Sequence, residues 1–90
     1  MSNAQTRLEQ AVAHMVRGVV GNPDEVEVTT ARNVHGPLIS VKVNPRDVGR
    51  LIGRQGRTIQ AMRDVLAAGA AAIGPGTTAP TIEIDESEQR

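Results

Sequence analysis

The sequence predicts an α+β fold with element order α-β-β-α-α-β, three helices packed on one face of a three-stranded sheet. Three observations predict it. Apolar residues at steps of three and four mark two amphipathic helices, one from Leu8 to Val19 and one from Ile59 to Ile73. Alternating apolar and polar residues around Val26–Val28, Ile39–Val43 and Thr81–Ile84 mark three short strands. A short apolar segment, Val48 to Ile52, fenced by Asn44-Pro45 and Gly53, adds a third helix. Ninety residues allow one domain, and 39% apolar with 22% charged residues fits a folded one. The domain is expected over 6–85. Residues 1–5 read as a terminal segment, disordered or left from expression, and 86–90 as a charged tail.

The first helix carries Leu8, Ala11, Val12, Met15, Val16 and Val19 as its apolar stripe. Gly18 to Gly21 and Asn22-Pro23 end it. Val26 and Val28 then alternate with Glu27 and Thr29, which predicts a half-buried strand. Asn33, Gly36 and Pro37 mark a turn, and Ile39, Val41 and Val43 form a second strand antiparallel to the first. Asn44 suits a helix cap, Pro45 the first helical position, and Asp47 the positive end of the helix dipole. Val48, Leu51 and Ile52 give that short helix its apolar face, and Gly53 stops it. The next helix has the stripe Ile59, Met62, Leu66, Ala70 and Ile73, and Gly74-Pro75-Gly76 terminates it. Thr81-Ile82-Glu83-Ile84 alternates as the last strand.

Charge is distributed unevenly. Lysines plus arginines number ten, balanced by ten acids. Six of the cations fall between Lys42 and Arg63, with Asp47 as the only acid there, a local net charge of +5. The other 68 residues hold four cations and nine acids, a net charge of −5. A neutral chain with one basic patch is suited to meet a polyanion locally rather than to coat it. There is no Phe, Tyr or Trp. Folds that stack bases on aromatic platforms, such as RRM and cold-shock domains, are therefore disfavoured. The absence of cysteine excludes a disulfide frame, a thiol nucleophile and a thiolate metal site. Nothing reads as a signal peptide or a membrane span, so a cytoplasmic location is expected.

Gly53-Arg54-Gln55-Gly56 sits inside the basic window, between two helical patterns. The second helix start offers unpaired N–H groups and a partial positive charge, which attract phosphate. Glycine at both corners removes side chains that would hold a backbone away. Arg54, with Arg50 and Arg57 flanking, supplies guanidinium groups for phosphate oxygens, and Gln55 a neutral donor and acceptor. The spacing alone is weak, since nine glycines in ninety residues give on the order of one such pair by chance. Gly18-Val19-Val20-Gly21 has the same spacing with stiff apolar middle residues and no basic neighbour, and reads as helix termination. Context distinguishes the two. The plain alternative for Gly53–Gly56 is a helix–helix turn with solvated arginines.

The stretch Asn44-Pro45-Arg46-Asp47-Val48-Gly49-Arg50-Leu51-Ile52-Gly53-Arg54-Gln55-Gly56-Arg57-Thr58-Ile59 resembles the signature of a KH domain: a short helix ending in Ile-Gly, the Gly-x-x-Gly loop, then a helix. The αββααβ order resembles the type II KH topology, and nearly the full chain resembles small bacterial single-KH RNA-binding proteins of the KhpA (YlqC) type. The resemblance implies single-stranded RNA binding, with the loop gripping about four nucleotides of backbone. It also implies pairing with a second copy or with another KH-containing protein. By this resemblance the base groove lies between the Val48–Ile52 helix, the helix after Gly56 and the second strand, with Val43, Val48, Ile52 and Ile59 as an aliphatic floor. Each of the four reads first as core and second as a contact for the ligand. Lys42, on the strand face opposite Val41 and Val43, is a further candidate for a phosphate, or a plain solvated lysine. Gly49 costs a helix ~1 kcal/mol relative to alanine; it either clears room for a nucleotide or permits tight packing against a strand. One departure stands out: Gly74–Pro80 is long and uncharged where a more basic connection is expected.

Catalysis finds little support. His14 and His35 have no partner at nucleophile or metal spacing, and no Gly-Lys-Ser/Thr phosphate loop is present. No cofactor is implied. The rival to RNA binding is a protein-interaction module, using the aliphatic groove or the alanine-rich helix Ala67–Ala72 as its contact surface.

Overall fold

The computed structural model describes residues 3–86. Its elements are α1 (Asn3–Val19), β1 (Glu27–Asn33), β2 (Gly36–Lys42), α2 (Val48–Ile52), α3 (Arg57–Ile73) and β3 (Thr81–Ile84), with single 3₁₀ turns at Pro23–Glu25, Pro45–Asp47 and Arg54–Gly56. The predicted α-β-β-α-α-β order and α+β class hold. α1 begins before the apolar stripe becomes visible at Leu8, so residues 3–5 of the expected terminal segment are helical. Of the expected charged tail, only Glu86 lies among the described residues.

β1 and β2 pair antiparallel from Glu27↔Lys42 to Asn33↔Gly36, joined by the two residues Val34 and His35. The Asn33 side chain accepts from the His35 N–H at 2.8 Å and shapes the turn. β3 lies on the other side of β2 and runs parallel to it, from Leu38↔Thr81 to Val41↔Ile84. Parallel neighbours require a crossover, and α2 with α3 supply it. β2 is thus the central strand, and its Ile39 and Val41 are fully enclosed. β1 is an edge strand. Only Val28 is half-buried along it, so burial of this strand is less than the alternation suggests.

One core joins the layers. Leu8, Val12, Val16 and Val20 from the first segment meet Val48 and Leu51 of α2, Ile59, Met62, Leu66 and Ala70 of α3, and Ile39, Val41 and Ile82 of the sheet. The predicted α3 stripe is correct at every position, with Ile73 half-buried at its end. In α1 the buried residues are Leu8, Val12, Ala13 and Val16, continued by Val20 just past its end, whereas Ala11 faces solvent.

Candidate nucleic-acid interface

The segment Pro45–Ile52 holds the candidate loop in place. Asn44 caps it as expected: its Oδ1 accepts from the Arg46 N–H at 2.9 Å. Its amide donates to the Glu25 carboxylate at 3.1 and 3.2 Å. Val48 and Leu51 sink into the core, so packing turns one face of this short helix inward. Short helices owe their stability to such tertiary packing rather than to propensity.

Asp47 plays a different part from the dipole role its position suggests. It is the buried charged residue of the described chain, with 3% exposure. Its carboxylate accepts from the Gly21 N–H at 3.0 Å, the Asn22 N–H at 3.0 Å and the Asn22 side-chain amide at 3.1 Å. Burial alone would raise its pKa. The Gly21 N–H, the Asn22 amide and N–H, and the charge of Arg50 outweigh that, and the carboxyl is held below the usual carboxylate range. A Cβ on Gly21 would sit 3.3 Å from Asp47 Oδ1 and 3.2 Å from Arg50 Nη1, so an alanine there would press on this contact and make one of the two side chains give by a few tenths of an ångström. Gly21 of the Gly18–Gly21 pair therefore lies against a structural contact, whereas a Cβ on Gly18 would meet nothing within 4 Å. No local spacing in the sequence signals the Asp47 link, because its donors lie 25 and 26 residues before Asp47.

α2 ends at Gly53, whose N–H donates to the Gly49 carbonyl at 2.9 Å. Gly53 has φ 80° and ψ 169°, a region essentially reserved for glycine. Gln55 (φ 58°, ψ 24°) and Gly56 (φ 75°, ψ 14°) are both left-handed, and the chain then enters α3. Gln55 is the one non-glycine residue with positive φ among the described residues. Its side-chain oxygen accepts from Arg57 Nη2 at 3.4 Å, which ties the loop to the first turn of α3. No side chain caps that turn and no acid lies in it. The start of this 17-residue helix thus carries the partial positive charge of its dipole next to Arg54 and Arg57, while the Gly56 and Arg57 N–H groups turn back to the Gly53 and Arg54 carbonyls.

The other candidates separate. Arg50 is exposed, but its guanidinium lies over Gly21 and beside Asp47. Val43, Val48 and Ile59 are 6–8% exposed and belong to the core, whereas Ile52 is half-open beside Gly53. A Cβ on Gly49 would meet nothing within 4 Å, so tight packing does not explain that glycine. Lys42 stands opposite Glu27 and lines a cleft with Asp24, Glu25 and Asp85. That setting is acidic and lies at the other end of the Pro45–Ile52 segment from the turn. The uncharged connection after α3 also lies away from the turn. Its Thr78 carbonyl accepts from the Gln5 side chain at 3.0 Å. The 17 residues of α3 put about 25 Å between the helix's two ends.

A second exposed feature lies between α1 and α3. His14, Met15, Val19, Ala61, Met62 and Val65 line an apolar groove, with Val65 55% exposed. His14 is on this groove and His35 at the hairpin tip, and no group of three or more potential metal ligands occurs among the described residues. No described helix is long and apolar enough to cross a membrane.

Residues 9–75 match the family model described as KhpA/KhpB, KH domain. The chain belongs to this KH-domain family. A protein named RNA-binding protein KhpA from Streptomyces coelicolor is 40% identical over 78 residues, which covers 87% of this chain and 95% of that protein. Its namesake from Mycobacterium tuberculosis is 47% identical over 57 residues, 63% of this chain and 71% of that one. The namesake from Halalkalibacterium halodurans is 38% identical over 63 residues, 70% and 83% of the two chains. No solved structure matches the chain. The KH match runs from Glu9 in α1 to Pro75 beyond α3 and so encloses the whole Gly53–Gly56 turn.

Proposed function

We propose that this KH domain binds single-stranded RNA by gripping its sugar-phosphate backbone at Gly53–Gly56, as a cytoplasmic RNA chaperone or post-transcriptional regulator. One observation carries this reading: an uncapped helix start, reached through consecutive left-handed residues and flanked by Arg54 and Arg57. Main-chain N–H groups and two guanidinium groups there can meet successive phosphates. Backbone contacts carry no base information, so sequence preference is weak. The half-open Ile52 and the empty space beside Gly49 leave room for a base next to the turn. Affinity for a short oligonucleotide should be on the order of micromolar.

The test is Arg54→Asp combined with Gln55→Asp, titrated against a fluorescent single-stranded RNA. Aspartate tolerates left-handed φ and suits a helix start, so folding is retained. Phosphate is repelled, and binding should be lost. Unchanged binding would remove the turn as the clamp.

The apolar groove around Val65 favours a second reading, in which the domain pairs with a copy of itself or with another KH-containing protein. Two linked domains would raise avidity for a longer RNA without new contacts. Val65→Lys should lower the molar mass seen by sedimentation while leaving the affinity for a short RNA unchanged.

A further inference from the structure

We propose that Asp47 is a positioning residue for the Gly53–Gly56 turn, and that Arg50 acts through Asp47 rather than on a phosphate. The inference rests on the backbone-clamp reading above. Pro45–Ile52 is only two helical turns long, and its C-terminal end carries the turn. Val48 and Leu51 fix the inner face of that segment, but apolar packing permits rotation and sliding. Asp47 removes that freedom. Two backbone N–H groups and one amide, all from Gly21 and Asn22, converge on its two carboxylate oxygens within 3.1 Å. Three directional contacts on a 3% exposed group tie the start of the segment to the chain leaving α1. The direction in which Gly53 and Arg54 are presented then follows from this attachment.

Arg50 lies one turn after Asp47, on the same side of the helix. Its guanidinium occupies the space over Gly21 that a Cβ would contest. There it balances the buried carboxylate. The cations left to meet RNA at this turn are Arg54 and Arg57.

Asp47→Asn keeps the size and one acceptor but loses the second acceptor and the charge. Gly21→Ala perturbs the same contact from the opposite side, at a position with no positive φ. Each should fold, shift the amide resonances of Gly53 to Arg57, and weaken binding of a single-stranded oligonucleotide. If the turn adopts its binding geometry about one tenth of the time, the apparent Kd rises about tenfold. Ile82→Val in β3 is the control. It loosens the core away from the turn, and well below its melting temperature it should bind RNA as the unaltered chain does. Arg50→Ala should weaken binding without changing the slope of log affinity against log salt. Normal affinity in both Asp47→Asn and Gly21→Ala would overturn the proposal, as would a salt slope reduced by about 0.7 in Arg50→Ala. If the Arg54→Asp, Gln55→Asp double variant binds RNA normally, the clamp reading fails instead.

Discussion

Gly53 and Thr58 approach so closely that only a glycine fits between α2 and α3. A Cβ on Gly53 would lie 2.6 Å from the Thr58 Cβ and 2.7 Å from the Thr58 nitrogen, and would collide with Thr58 Oγ1. The clash is partly with backbone at the start of a helix, so a rotamer change cannot relieve it.

Gly53→Ala should therefore cost more stability than Gly56→Ala. Gly53 combines the clash with a backbone conformation that alone costs about 1–3 kcal/mol for other residues. Gly56 has left-handed φ but open space around it, so its alanine variant should lose about 1–2 kcal/mol. Urea denaturation of the two variants gives the order directly. Equal losses would mean that the contact with Thr58 is relieved by movement of the turn.

Gly49→Ala should have opposite effects on stability and binding. The position is helical, exposed and free of neighbours, so alanine should stabilise the fold by about 0.5–1 kcal/mol. If a nucleotide passes over Gly49, RNA affinity falls in the same variant. A raised melting temperature with unchanged affinity would move the RNA path off this face.

Salt dependence distinguishes the arginines. Replacing Arg54 or Arg57 by alanine should each flatten the slope of log affinity against log salt by about 0.7, the contribution of one phosphate on a single strand. Arg63, two turns further along α3, should have a smaller effect. A flat response in the unaltered chain would favour protein partners over RNA.

Acid should destabilise the fold partly through Asp47. Its pKa is lowered from the ordinary 3.8, so the folded state binds this proton less readily than the unfolded chain. The stability it adds is fully present above 3.8 and is lost as pH falls through the lower folded value. Urea midpoints measured between pH 6 and pH 2 should fall less steeply for Asp47→Asn than for the unaltered chain. Parallel curves would show that Asp47 does not contribute to acid unfolding.

Much of the fold was legible because single residues enforce local geometry. Asn44 and Pro45 start a helix in almost any context, and Gly53 and Gly74 stop one. The α3 stripe repeats cleanly over four turns, so its buried face could be read position by position. The candidate site was less legible. Val43, Val48 and Ile59 are apolar residues beside the turn, and spacing does not distinguish a groove floor from a core. Lys42 looked available because the acids around it come from two distant stretches, Asp24–Glu27 and Asp85. Asp47 looked like a dipole partner because its acceptors' donors lie 25 and 26 residues away.

By itself the sequence determined the helices, the hairpin, the basic window and the glycine-bounded turn, because caps, periodicity and backbone freedom act over a few residues. Only the tertiary structure decided that β3 runs parallel to β2, that Ile52 rather than Val48 is open, and that Asp47 joins α2 to the end of α1. Those outcomes depend on which distant surfaces exclude water together, and a linear pattern does not encode that.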